Sequence, residues 1–162
     1  MAFMLSLISP VEKIEEFSSV GEEEEYESMV MVVCEALQEA GFGFHMEGFG
    51  LNPWPVDVSY DLSSVMEQLP DLLGSLRNGE VGGINFYGQG IEADLSFSED
   101  GDFFRIHCDP RVPLAITRQE ERIEKGEFLS MAHELSEGFV EAARVVLPTL
   151  RVEILAENLP VH

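Results

Sequence analysis

Basic residues are scarce in this sequence. Nine lysines and arginines, with Lys13 and Lys125 the only lysines, stand against 31 aspartates and glutamates, for a formal charge of −22. A chain without a basic stripe has nothing to neutralise phosphates, so nucleic acid is excluded as a partner, and anionic membrane is repelled in the same way. Cysteine is nearly absent. Cys34 and Cys108 are too few for a disulfide framework, and both fall in apolar-periodic segments that suit buried free thiols in a reducing compartment. No run approaches the roughly 20 apolar residues of a membrane span. The opening "MAFMLSLISP" lacks a basic leader and a cleavage site, and is expected to be a first strand of a cytoplasmic protein.

What is present is an ordinary apolar content, 45% of 162 residues, enough for one domain with a real core. "SPVEKIEEF" carries a capping serine, Pro10 at a first helical position and Glu12 in a capping box, which predicts a short helix. "GEEEEYESMVMVVCEALQEAG" repeats Tyr26, Met29, Val30, Val33, Leu37 and Ala40 at helical spacing. Glutamates 22 to 25 crowd its first turn, where the helix dipole favours them. "FGFHMEGFGLNPWPVDVSY" reads as an irregular strand and loop. "DLSSVMEQLPDLLGSLRNG" predicts a helix with Leu62, Val65, Met66, Leu69, Leu72, Leu73 and Leu76 inward, kinked or broken at Pro70.

"INFYGQGIEADLSFSEDGDFFRIHCDP" predicts three antiparallel strands. A turn at Asp100-Gly101 pairs Phe97 with Phe104, Leu95 with Ile106 and Ala93 with Cys108. A turn at Gln89-Gly90 pairs Phe86 with Ala93 and Ile84 with Leu95, on the same face. The other face should carry Asn85, Tyr87, Glu92, Asp94, Ser96, Phe103, Arg105 and His107, with Asp94 opposite His107 and Ser96 opposite Arg105. "RQEERIEKG" is ambiguous between a capped helix start and a charged loop. "EFLSMAHELSEGFVEAARVVLP" is the best helix, with Phe128, Met131, Ala132, Leu135, Phe139, Ala142 and Val146 inward, and the tail "LRVEILAENLPVH" suggests a last strand. The sum is a single α+β domain, residues 1–162, an antiparallel β-meander with helices packed on one face.

Enzyme signatures are incomplete. "HELSE" has Glu137 where a zinc-protease helix needs a second histidine. "HCDP" places His107 and Cys108 on opposite faces of a strand, so a thiol enzyme would need His45 or His133 to reach Cys108 through the fold. "SEDGD" lacks the distal glutamate of a calcium loop, and the glycine pairs lack a phosphate-loop lysine. No catalytic residue, cofactor or metal site is expected.

The helix, "FY-x-Q-G" hairpin, strand and helix order over roughly Asp61 to Leu147, together with the acidity, resembles bacterial polymorphic-toxin immunity proteins. The resemblance implies a cytoplasmic antidote, not an enzyme, that blocks a cognate toxin with a basic cleft. For this chain a monomer or weak homodimer is expected, with neither nucleic acid nor membrane as a partner. Contacts are expected from the acidic run Glu22, Glu23, Glu24, Glu25 and Glu27, from the sheet face at Tyr87, Glu92, Asp94 and Phe103, and from Trp54, where aromatics among charges have the composition of an interface hot spot. Acidity alone also serves solubility. A DNA mimic, an acidic adaptor or chaperone, and a small thiol hydrolase built on Cys108 are the alternatives.

Overall fold

The computed structural model describes residues 3–12, 14–17, 25–88 and 91–161. Strand β1 (Met4–Ile8) pairs antiparallel with β2 (Gly43–Glu47), and helix α1 (Tyr26–Glu39) lies between them in sequence. One π-helical turn, Val58–Leu62, runs directly into α2 (Ser63–Arg77). The meander follows as β3 (Gly82–Phe86), β4 (Ala93–Asp100), β5 (Phe103–Pro110) and β6 (Glu120–Glu124), paired in that order and all antiparallel. Helices α3 (Lys125–Val146) and α4 (Glu153–Asn158) complete the chain. This is the expected α+β architecture, with a second, two-stranded sheet added.

The four-stranded sheet keeps its apolar side inward. Ile84, Phe86, Ala93, Leu95, Phe97, Phe104, Ile106, Cys108 and Ile123 are all buried, while Asn85, Ser96, Arg105 and His107 are exposed. Phe128 of α3 packs on Phe97 and Phe104 with ring centroids at 5.2 and 5.6 Å. Phe3 bridges the two sheets, edge-on to Phe97 at 6.1 Å and to Phe49 at 6.2 Å. Each such ring, removed from water, contributes roughly 1.5–3 kcal/mol, and edge-to-face pairs add to it. One continuous aromatic seam therefore joins elements far apart in sequence.

Several expectations need correction. The β3–β4 register is the predicted one, but its turn residues, Gln89 and Gly90, lie outside the described residues. In the second hairpin Phe97 faces Ile106, Leu95 faces Cys108 and Asp100 faces Phe103, so the turn is Gly101-Asp102. Gly101 takes the left-handed conformation (φ 61°) that such a tight turn requires. The offset from the expected pairing is two residues, which preserves the faces. It also changes the cross-strand partners: Asp94 lies opposite Asp109, Ser96 opposite His107 and Ser98 opposite Arg105.

No helix forms among residues 9–12 and 14–17. Val11 stands fully in solvent, only Pro10, Ile14 and Phe17 are half-buried, and a segment this short has too little packing to offset nucleation. Phe17 instead donates its N–H to the Val146 carbonyl at 2.7 Å. Helix α2 passes through Pro70 without interruption, and every predicted inward residue of it is buried. "RQEERIEKG" supplies β6, and the tail is helical where a strand was expected.

Candidate functional site

The excess acid is unevenly placed. Between Lys13 and Arg77 the sequence has no lysine or arginine, and this stretch forms α1, the π-turn and α2. The open sheet face is different. Arg105 and Arg122 both pair with Asp100, at 3.0 and 3.1 Å, His107 approaches Glu120 at 4.0 Å, and Arg111 pairs with Asp94. The sheet face is thus a mixed-charge surface, while on the helical side α1, the π-turn and α2 as far as its last residue, Arg77, carry acids and no lysine or arginine.

On that helical side α1, α2 and the connection from β3 to β4 enclose a groove of about 560 Å³. Met31 and Glu35 line it from α1, Tyr60 and Glu67 from the turn and α2, and Tyr87 and Glu92 from the β3–β4 connection. Glu27, Met31 and Glu35 follow at four-residue intervals and form one exposed stripe of α1. Met31 is 52% exposed, Tyr60 46% and Tyr87 60%, so apolar and aromatic surface faces solvent among carboxylates.

Local chemistry fixes these side chains. Asp57 caps the π-turn, its Oδ1 accepting from the N–H groups of Tyr60 and Asp61 at 2.9 and 3.0 Å, while Asp61 Oδ2 accepts from Asp57 N–H at 2.9 Å. Gln38 Oε1 on α1 accepts from the N–H of Val58 at 3.1 Å and ties the turn to that helix. A Cβ on Gly88 would stand 2.8 Å from Tyr60 Cβ, so the β3–β4 connection rests directly on Tyr60. The Tyr87 hydroxyl donates to Glu67 Oε2. That bond, then burial and the Glu67 charge, push the Tyr87 hydroxyl up to about 12. Glu35, Glu67 and Glu92 belong to no ion pair among the described residues. Arg111, which feels the Glu92 charge, is already committed to Asp94.

The groove gathers some of the predicted contact residues and leaves others out. Tyr87 and Glu92 line it, and Glu27 continues its α1 wall. Glu25 is the exposed residue preceding α1, and Glu22, Glu23 and Glu24 lie outside the described residues. Asp94 is next along β4 but spoken for by Arg111. Phe103 is half-buried at the far end of the sheet, beneath the Arg122 guanidinium at 4.3 Å. By strand register it stands roughly 25 Å from Tyr87, so the two rings do not form one hot spot. Trp54 corrects the expectation outright. It is 2% exposed, packs against Phe49 and donates its indole N–H to the Gly48 carbonyl at 3.0 Å. Its ring belongs to the core.

Met31, Glu35, Tyr60 and Glu67 were not anticipated. The available signal was Met31, an apolar residue off the buried stripe of α1 and flanked by Glu27 and Glu35 one turn either way. Of the candidate chemistry, His107 points to the open face, His45 pairs with Glu47 at 2.9 Å, and His133 contacts Glu137 at 3.2 Å and the Pro160 carbonyl at 2.7 Å. Cys108 is fully buried and its thiol is pushed up to about 11 by burial and then by Asp109 and Asp94. Among the described residues no group of three or more His, Cys, Asp or Glu is arranged to hold a metal ion, and no helix is long and apolar enough to cross a membrane.

Compared with protein-family models, with curated proteins and with solved structures, the chain matches none.

Proposed function

We propose that this chain is a binding protein of the immunity type, which neutralises a cognate bacterial toxin inside the producing cell by covering its active or substrate-binding site with an acidic surface. The observation that carries this reading is the groove, where exposed aromatic surface from two elements sits among three carboxylates that form no ion pair among the described residues. Charge steers the encounter, at rates that reach about 10⁸–10⁹ M⁻¹s⁻¹ at low salt, and aromatic anchors then hold the complex. The resemblance to immunity proteins and the charge of −22 point the same way.

The test is genetic and then kinetic. Expressing the product of the neighbouring gene in a sensitive host should arrest growth, and co-expressing this chain should restore it. The purified pair should form a complex whose association rate falls steeply with ionic strength, because the Debye length shortens to about 10 Å at 0.1 M salt. A neighbour that is harmless, or that this chain neither binds nor relieves, defeats the proposal.

A further inference from the structure

We infer that the groove between α1, α2 and the β3–β4 connection seats an arginine side chain of the protein partner, flanked by apolar neighbours. The inference rests on the binding role proposed above and gives that site its ligand chemistry. Glu35, Glu67 and Glu92 come from three separate elements onto one concavity, and no basic side chain lines it among the described residues. Its inner surface is largely apolar, supplied by Met31 and the rings of Tyr60 and Tyr87. A ligand for this shape is cationic at its tip, flat enough to lie on a tyrosine ring, and carries an aliphatic stem. The guanidinium group meets all three conditions: it stacks on aromatic faces, is weakly hydrated, and offers a fork of donors to carboxylates. An ammonium group has no plane to stack and holds its water more strongly.

The Tyr87–Glu67 hydrogen bond fixes one ring and one carboxylate with respect to each other before any ligand arrives. The volume, about 560 Å³, falls within the range of roughly 300–1,000 Å³ that small ligands occupy, and admits the arginine together with part of its neighbours.

The experiment uses three capped pentapeptides, with arginine, lysine or citrulline placed between two leucines, titrated into the full chain and followed by NMR. The arginine peptide should shift the Met31 methyl and the Tyr60 and Tyr87 ring resonances, the lysine peptide should bind several-fold more weakly, and the citrulline peptide should not saturate. Glu67→Gln and Tyr87→Ala should each weaken the arginine peptide about ten-fold. Tyr87→Phe, which keeps the ring, should lose only a few-fold. Glu153→Gln, an equal change of charge on exposed α4, should leave binding unchanged. Equal losses from Glu67→Gln and Glu153→Gln, equal affinity for the lysine peptide, or shifts confined to other surfaces would overturn the inference. If Glu67→Gln and Tyr87→Ala still rescue cells from the toxin in full, the groove assignment falls while the immunity reading stands. If the peptide occupies the groove and no toxin is relieved, the reverse holds.

Discussion

Tyr26 supplies the hydrogen bond that Pro70 cannot. In an uninterrupted helix the N–H of residue 70 would donate to the carbonyl of Met66, and proline has none. The Tyr26 hydroxyl, reaching across from the first turn of α1, donates to that same carbonyl at 2.6 Å in the buried interface between the two helices. Burial first, then the charges of Cys34, Glu27 and Glu67, raise the Tyr26 hydroxyl far above its ordinary value and keep it a donor. Tyr26→Phe should therefore destabilise the fold by about 1–3 kcal/mol, the range for orphaning a buried acceptor. In a Pro70→Ala background the restored backbone N–H serves Met66, and the same substitution should cost at least about 1 kcal/mol less. Urea unfolding of the four proteins measures the coupling, and additive effects would refute the compensation.

That pair also shows why α2 does not break at Pro70. A proline inside an apolar helical pattern is a local signal for a break, and the group that compensates for it lies 40 residues from the Met66 carbonyl it serves. The sheet was legible wherever its alternation was clean, as in Ile84, Phe86, Leu95, Phe97, Phe104 and Ile106. Strand β6 was not, because one of its two inward positions is Glu121. This residue is buried yet satisfied, its Oε1 accepting from Phe49 N–H at 2.8 Å and from Arg118 at 2.9 Å. Trp54 misled for a related reason: composition marks it as an anchor but cannot say which way the ring turns. The groove was half legible, since Tyr87 and Glu92 lie on a predictable face, whereas Tyr60 and Glu67 reach them only through the packing of α2 on β3.

The outer edge of β3 should be exposed to strand addition, and Gln68 closes it. Its amide donates to the Asn85 carbonyl and accepts from the Asn85 N–H, both at 2.8 Å, as a neighbouring strand would. Gln68→Ala should lower stability by roughly 1–3 kcal/mol and expose an edge prone to self-association. Denaturation and light scattering together read both effects. A variant as stable as the parent, and scattering no more light than it, would show that the contact contributes nothing.

Gly50 marks a second tight junction. It takes a left-handed conformation (φ 80°), and a Cβ there would run into the Thr117 hydroxyl. The neighbouring Phe49 carbonyl accepts from the Thr117 N–H at 2.8 Å, so this turn docks the segment leading into β6 against the β2 side of the core. Gly50→Ala should cost about 1 kcal/mol or more from backbone strain and displacement of Thr117, and Thr117→Ser in the same chain should not relieve it, because the oxygen itself is in the way. Thermal unfolding of the single and double variants checks both statements.

Asp61 gives the fold a pH dependence of defined sign. It is fully buried, and burial pushes its carboxyl up to about 6 despite help from the backbone N–H groups of Asp57 and Ile91. Between about pH 4 and pH 6 the folded chain holds a proton there that the unfolded chain has released, so stability from this group falls as pH rises through that window. The loss above it is on the order of 1–3 kcal/mol. Asp61→Asn retains an oxygen to accept from Asp57 and removes the charge. It should flatten the profile between pH 4 and 6 and raise stability at pH 7. A profile of unchanged slope in the variant would assign the dependence to the other carboxylates.

The two thiols provide the sharpest check on a catalytic reading. Cys34 and Cys108 have no exposed surface, burial raises both above their ordinary range, and Cys108 is pushed up to about 11. At pH 8 only about one Cys108 in a thousand would be thiolate, and an alkylating reagent would still have to enter the core to reach it. Iodoacetamide should therefore leave the native protein unlabelled over hours, modify two cysteines at once in urea, and in between follow the rate of global unfolding. A nucleophile must be both ionised and reachable, and neither condition is met beneath the sheet. Rapid labelling of Cys108 in the native state would mean that the sheet opens over it, and would return the thiol-enzyme alternative to contention against the binding role.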